Sequence, residues 1–125
     1  MDSDSKYNID LEVQFEPLEV INFTEIIGKC DKKWQNLSVS QVNDCLVRLG
    51  VIEGAFHWHR HDNEDEFFYV IEGTLLIDLE DKTVELAPKQ GFTVPRGVNH
   101  RTRAPERTAI LMVEGSTVTP TGDKI

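Results

Sequence analysis

The most informative stretch of this sequence is His57–Gly73, HWHRHDNEDEFFYVIEG. It holds three of the four histidines, at alternate positions 57, 59 and 61, and the fourth histidine is His100. Alternate residues of a β-strand share one face at intervals of roughly 6–7 Å. A strand over Phe56–His61 would therefore project three imidazoles to the same side, and the sequence predicts a histidine cluster there.

A carboxylate can reach this cluster from the next strand. If the chain turns at Asp62–Asp65 and returns through Glu66–Ile71, Glu66, with Glu64 as the alternative, lies beside the histidines. Imidazole together with one carboxylate suits Fe, Mn, Co, Ni, Cu or Zn, and three or four protein ligands leave coordination positions open. The cluster, taken with His100, predicts a site for one divalent transition-metal ion of undetermined identity.

The rest of the chain reads as short strands separated by turn signals. The predicted strands are Leu37–Val42, Cys45–Ile52, Phe56–His61, Glu66–Ile71, Thr74–Leu79, Thr83–Leu86, Phe92–Val94, His100–Arg103 and Thr108–Glu114. Many short strands at nearly even intervals favour an all-β fold, an antiparallel barrel or double-sheet jelly roll, over an α/β fold. One short helix is predicted after Asn22, a candidate cap, with Glu25 three residues on and an apolar spacing that extends to Trp34.

The length of 125 residues corresponds to a single domain. We divide it into an N-terminal extension with the short helix over 1–36, a β-barrel over 37–114 and a C-terminal tail over 115–125. The extension could act as a dimer arm, and its polar first eight residues are predicted to be frayed.

Composition narrows the classes of partner and the compartment. The chain is 39% hydrophobic and 28% charged with a net charge of -9, a balance that disfavours nucleic acid, whose phosphates need clustered cations. No apolar stretch approaches the roughly 20 residues of a membrane helix. No basic and apolar leader is present, so Cys30 and Cys45 are predicted to be reduced thiols in a cytoplasmic protein that acts on, or binds, a small molecule.

Two predicted strands, Glu66–Ile71 and Thr108–Val113, carry apolar residues on both faces. Both faces of such a strand must be buried against other protein segments. One face would pack in the core, and the other could be buried by another sheet layer, the N-terminal segment, or a second copy of the chain in a homodimer. The sequence leaves these alternatives open.

Side chains that alternate with the histidines are predicted to face the other way. On the first strand these are Phe56, Trp58 and Arg60. The same alternation directs Arg101 and Arg103 outward, toward solvent or toward the acidic N-terminal arm. We predict packing and solvent exposure for these residues rather than a role in binding.

The sequence also resembles the cupin superfamily. His59-x-His61, four residues, Glu66, six residues and Gly73 are similar to its first motif, and Pro95-Arg96-Gly97-Val98-Asn99-His100 is similar to its second. Within this superfamily, the sequence resembles small single-domain cupins of the conserved-barrel type and cupins that are similar to mannose-6-phosphate isomerase. The chain departs from the second motif at two positions: Lys89 replaces the opening glycine and Ala104 the closing asparagine.

The resemblance implies a double-stranded β-helix, in which His59, His61, Glu66 and His100 bind the metal. His57 is left as a candidate catalytic group outside the ligand set, able to shuttle a proton. The implied function is a metal-dependent small-molecule enzyme of isomerase or dioxygenase type. The alternative is a non-catalytic module that holds a small metabolite or carbohydrate, with a metal that serves structure or affinity. A homodimer is expected in either case.

Overall fold

A computed structural model describes residues 7–118 and Gly122, and the described part of the chain is built mainly of strands. The elements in chain order are β1 (Ile9–Asp10), α1 (Phe23–Lys29), β2 (Trp34–Val42), β3 (Cys45–Ala55), β4 (Glu66–Glu72), β5 (Leu75–Leu79), β6 (Thr83–Leu86), β7 (Gly91–Val94) and β8 (His100–Gly115). The all-β prediction is confirmed.

The strands form two layers that share β8. Strands β2, β3, β8, β4 and β7 lie side by side in that order, all antiparallel, and β1 joins the edge parallel to β2. The β5–β6 hairpin forms the second layer, because residues 76–79 pair with the first part of β8 at residues 100–103. Within the described residues the sheet does not close into a ring. The long β8 therefore connects the two layers of an antiparallel sandwich.

The main core lies between these layers. Alternate residues of a strand face opposite sides, so β4 turns Phe68 and Val70 inward while β5 contributes Leu75 and Ile77. All four side chains are at most 2% exposed. They surround the inner face on which the predicted ligands lie.

The N-terminal segment covers part of the outer face of the first layer. Ile27 and Cys30 of the helix region pack with Leu49 of β3 and with Ala109 and Leu111 of β8. The outer side of the predicted strand Thr108–Val113 is thus covered from within the chain at these positions. Phe67 on β4 is 38% exposed, and the expected homodimer stays a prediction.

The helix is confirmed, with a correction at its end. Asn22 caps it, its Oδ1 accepting a hydrogen bond of 3.2 Å from the Glu25 N–H. The helix ends at Lys29, and Trp34 begins β2 instead of continuing the helical spacing. Among the described residues no helix is long and apolar enough to cross a membrane.

Two strand predictions are wrong. Phe56–His61 is not a strand: β3 ends at Ala55 after a register shift at Gly54, whose φ is +111°, and only a bridge from His59 to His100 follows. The predicted break before Thr108 is absent, since β8 runs unbroken through Pro105. The register shift in β3 lies opposite residues 105–107. Pro105, which has no backbone N–H, therefore lies where β3 requires no hydrogen-bond donor from β8.

The predicted chain ends are only partly described. Tyr7 is 5% exposed and packs in the core, which corrects the expected frayed start at that residue, while residues 1–6 lie outside the described part. The predicted tail over 115–125 is described only at 115–118 and 122. Cys30 is buried, Cys45 is exposed, and both are free thiols.

Candidate metal centre

The structure brings together the four residues named as ligands. His59, His61, Glu66 and His100 each offer one ligand atom, and these atoms all lie within 4.8 Å of one another. The Nε2 atoms of His61 and His100 are each 3.4 Å from Glu66 Oε1. Donor atoms bound at about 2.0–2.2 Å to one ion are at most about 4.4 Å apart, so the cluster is only slightly wider than one coordination shell.

Backbone hydrogen bonds fix the elements that carry the ligands. The backbones of His59 and His100 are joined by two hydrogen bonds of 2.9 Å, each from the N–H of one residue to the carbonyl of the other. The sequence did not predict this pairing of the two histidine-bearing segments. The Gly97 N–H donates to the His61 carbonyl at 2.8 Å. Gly97 has a φ of +77°, a conformation that glycine adopts without strain, so this turn brings the second segment back to the first.

Two of the histidine rings are oriented for metal binding. The Nδ1 of His59 lies 3.0 Å from the His57 carbonyl, and the Nδ1 of His100 lies 2.9 Å from the Val98 carbonyl. A neutral imidazole that donates its Nδ1–H to a carbonyl keeps its lone pair on Nε2. Both Nε2 atoms are therefore available as ligands.

Burial of these polar atoms has a cost that a cation would remove. His100 is 1% exposed and Glu66 5%. Within the described residues, neither His100 Nε2 nor Glu66 Oε1 makes a hydrogen bond, although the two atoms are 3.4 Å apart. Buried polar atoms without a partner are destabilising. The donor set and these atoms fit a divalent transition metal.

Two of the four residues, His59 and Glu66, are in the protonation states that metal binding requires. Burial, reinforced by the neighbouring His100, lowers the pKa of His59 to about 4, so this ring is neutral at pH 7. Burial raises the pKa of Glu66, but the His100 and His61 side chains offset it and hold the pKa well below its usual range. His59 thus offers a neutral imidazole and Glu66 an ionised carboxylate near neutral pH.

The sequence analysis did not identify two buried ionisable residues beside Glu66, which are Glu114 and Arg48. Glu114 lies directly opposite Glu66 in the β4–β8 register, so the two buried side chains are cross-strand neighbours. Arg48, fully buried on β3, has its Nε 3.2 Å from Glu114 Oε1. Burial and the negative charge of Glu66 raise the pKa of Glu114 well above its usual value. The available signal was Arg48 itself, a lone charge inside the apolar run of residues 46–52.

A pocket opens beside the cluster on the inner side of the sheet. Its apolar lining residues are Trp34, Ile52, Phe56, Phe68, Ile110 and Met112, and its polar ones are Asn36, His59, Glu66, Thr102 and Glu114. The pocket has a volume of about 410 Å³ including its open mouth. The pocket suits a small ligand.

Two predicted candidates lie outside the cluster. The ring of His57 stacks on Phe56 with centroids 4.4 Å apart and lies edge-on to the His59 ring at 5.6 Å, and its carbonyl is 3.0 Å from His59 Nδ1. The catalytic role of His57 stays a prediction. Glu64, the alternative carboxylate, accepts a hydrogen bond from Thr117 and is not part of the cluster.

The outward-facing predictions have a mixed outcome. Trp58 is 46% exposed, as expected from the alternation, but Phe56 is 7% exposed and lines the pocket. The irregular backbone at Gly54 breaks the alternation before Phe56, which is why that prediction is wrong. Arg101 and Arg103 contact Asp78 on the neighbouring β5 rather than the N-terminal arm.

Comparison with known proteins agrees with the fold. The model of the cupin domain family matches residues 46–114, more than half of the chain, and the chain belongs to this family. It is 45% identical over 94 residues to the uncharacterised protein YdbB of Bacillus subtilis, covering 74% of this chain and 83% of YdbB. A stretch of 45 residues is 42% identical to polyketide synthase CurC of Streptomyces cyaneus, spanning 29% of that protein.

Solved structures give the same result. A cupin-2 domain-containing protein from Shewanella frigidimarina is 34% identical, with a TM-score of 0.74 over 77% of this chain and 94% of that one. NMB1881 from Neisseria meningitidis is 22% identical, with a TM-score of 0.69 over 78% and 99% of the two chains, and this likeness shows the fold alone.

The structure also explains the departure from the second cupin motif. Lys89, which replaces the motif's glycine, adopts a left-handed φ of +70°. Its N–H donates to the Val70 carbonyl at 2.8 Å, and this bond holds the turn before β7. The turn is therefore kept without glycine, and no ligand is displaced.

Proposed function

We propose that this cupin is a metal-dependent enzyme acting on a small molecule. One divalent transition-metal ion would be held by His59, His61, Glu66 and His100. The observation that carries the proposal is a largely buried cluster of three histidines and one glutamate, two members of which, His59 and Glu66, line a mainly apolar pocket. When bound, the ion would supply Lewis-acid chemistry, polarising a substrate oxygen or lowering the pKa of a water.

The residues of the pocket define what the chain itself would contribute. His59 and Glu66 face the pocket, so a ligand there would meet the cluster from that side. The apolar walls would bind the non-polar part of the substrate and exclude water, which strengthens electrostatic contacts at the site. The small free volume favours a compact substrate with an oxygen, or a pair of oxygens, that reaches the metal. Isomerase and dioxygenase types of reaction both fit these features.

His57 is proposed to move a proton between the pocket region and solvent. Its half-buried ring next to His59 supports this role. The partial likeness to a polyketide synthase supports including oxygenated ketones and phenols in a substrate screen.

Metal content tests the site. In protein purified without chelators, we expect close to one equivalent of metal per chain. His59→Ala and His100→Ala should weaken metal binding by at least about 100-fold, more than the loss of an outer contact. His57→Ala is the matched control, because it removes a neighbouring imidazole but keeps the carbonyl that His59 contacts. A wild type that takes up no metal after reconstitution would overturn the proposal.

A non-catalytic binding module is the second candidate. His61, Glu66 and His100 are each at most 5% exposed, a degree of burial that also suits a structural metal. A structural metal predicts that His59→Ala is unfolded or strongly destabilised, because metal binding then contributes folding free energy. An enzyme predicts that the variant keeps its circular dichroism spectrum and loses turnover of a substrate found by screening.

A further inference from the structure

A row of buried side chains with ionisable groups continues across the sheet from Glu66, the proposed metal ligand. Glu114 is its direct cross-strand neighbour, and both side chains are at most 5% exposed. Arg48 lies 3.2 Å from Glu114. The three residues come from β4, β8 and β3, which are adjacent in the sheet, so backbone pairing keeps them in line.

The far end of this line is anchored to β2. The Arg48 guanidinium donates hydrogen bonds to Ser38 Oγ, at 2.5 Å, and to Asn36 Oδ1. Arg48 and Ser38 are both fully buried, and Asn36 is 8% exposed. A buried polar network with several fixed partners restricts the positions that each member can occupy. Glu114 is therefore held from the side opposite to Glu66.

Glu114 is not itself a member of the ligand cluster. The four ligand atoms come from His59, His61, Glu66 and His100, and Glu114 is the cross-strand partner of Glu66. Outer partners of metal-binding carboxylates orient the ligand and change metal affinity about 10–100-fold. A burial as complete as that of Arg48 is unusual for arginine and calls for a specific role.

We propose that Glu114, held by Arg48, is a positioning residue that fixes the Glu66 carboxylate toward the metal ion. This inference rests on the proposed metal site and extends it by one residue outside the ligand set. Without Glu114, the Glu66 carboxylate could rotate about its own side chain, and the ion would lose a fixed oxygen ligand.

Cobalt binding by three variants at position 114 tests the inference. Glu114→Leu keeps the volume but removes the contact, and it should weaken cobalt(II) binding about 10–100-fold and alter the visible absorption of the bound ion. Glu114→Gln should stay close to wild type in both, because its amide can donate to Glu66 and accept from Arg48. Glu114→Asp keeps the acid but shortens its reach, and it should bind cobalt(II) more weakly than Glu114→Gln.

Thr108→Val is the control for loss of a buried polar group. Thr108 is fully buried on the same strand but bonds to the backbone of Thr74 and Glu106, away from the cluster. It should lower thermal stability without changing cobalt affinity or the absorption spectrum. This separates a positioning effect from general loosening of β8.

The outcomes are distinguishable. A wild type that binds cobalt, with Glu114→Leu equal to it in affinity and spectrum, would overturn the positioning role and leave the metal site standing. A wild type that binds no cobalt would overturn both. If circular dichroism shows that Glu114→Leu is unfolded, the comparison of Glu114→Asp with Glu114→Gln gives the answer, and equal affinities would reject the inference.

Discussion

Strand β8 carries a polar cluster on each of its two faces, and the two clusters differ in how their atoms are partnered. On the outer face, Asp78 accepts hydrogen bonds from Arg101 at 2.7 Å, from Arg103 at 2.6 and 2.9 Å, and from Thr83 at 2.7 Å. The Arg103 contact above all keeps the pKa of Asp78 well below its usual range. Protein atoms alone therefore supply the hydrogen-bond donors for Asp78 in the outer cluster.

On the inner face, His100 meets His59, His61 and Glu66, and the partnering is incomplete. In the described part of the chain, His100 Nε2 and Glu66 Oε1 face each other without a hydrogen bond. A polar cluster that satisfies its own atoms needs no ligand, whereas a buried cluster with unpartnered lone pairs gains by binding a cation. The comparison indicates that the outer cluster serves the fold and the inner one a ligand.

The largest expected effect comes from replacing the buried arginine behind the inner cluster. Arg48→Met leaves Glu114, Ser38 and Asn36 without their shared donor, and removing one partner of a buried ion pair costs about 3–5 kcal/mol. Urea denaturation should show this decrease in the free energy of unfolding. A loss below about 1 kcal/mol, typical of exposed pairs, would remove the distinction between the two faces.

The second prediction concerns pH in the metal-free protein. The pKa of His59 is about 4 in the folded state, against about 6.5 for an exposed histidine. Between these values the unfolded chain binds a proton that the folded protein does not, so stability is present above pH 6.5 and falls as the pH drops toward 4. A shift of this size corresponds to a loss of up to about 3 kcal/mol.

Denaturation of the metal-free protein at pH 7 and pH 4.5 measures this effect. His59→Gln should show a shallower pH dependence than wild type. The outer cluster contributes little in this window, because Asp78, with its lowered pKa, loses its stabilising effect only below its unfolded pKa of about 3.8. Equal pH dependence in wild type and His59→Gln would contradict the prediction.

The smallest effect is expected for an arginine-to-methionine substitution in the outer cluster. Arg103 has a side chain that is 35% exposed, and Arg101 stays bonded to Asp78 when it is replaced. Arg103→Met should therefore lower the free energy of unfolding by about 1 kcal/mol or less, measured beside Arg48→Met in urea. It should leave the metal content unchanged, and a loss of metal would show that the two faces are coupled.

Much of the site was predictable because its signal is local. His59, His61, Glu66 and Gly73 fall within a short stretch of the sequence, and the chemistry of imidazole and carboxylate does not depend on the rest of the fold. The second motif, ending at His100, added the fourth ligand by resemblance. The all-β class followed from the alternation of apolar residues and turn signals.

The sequence by itself determined which residues could bind a metal and that the fold around them would be all-β, whereas His59 and His61 lie outside the strands. Tertiary structure alone decided three other features: the irregular backbone at Gly54 that turns Phe56 inward, the continuity of β8 through Pro105, and the Arg48–Glu114 pair behind Glu66. Each of these depends on register between strands far apart in the chain. Period-two patterns specify the face of a residue within its own strand, but not its neighbour across the sheet.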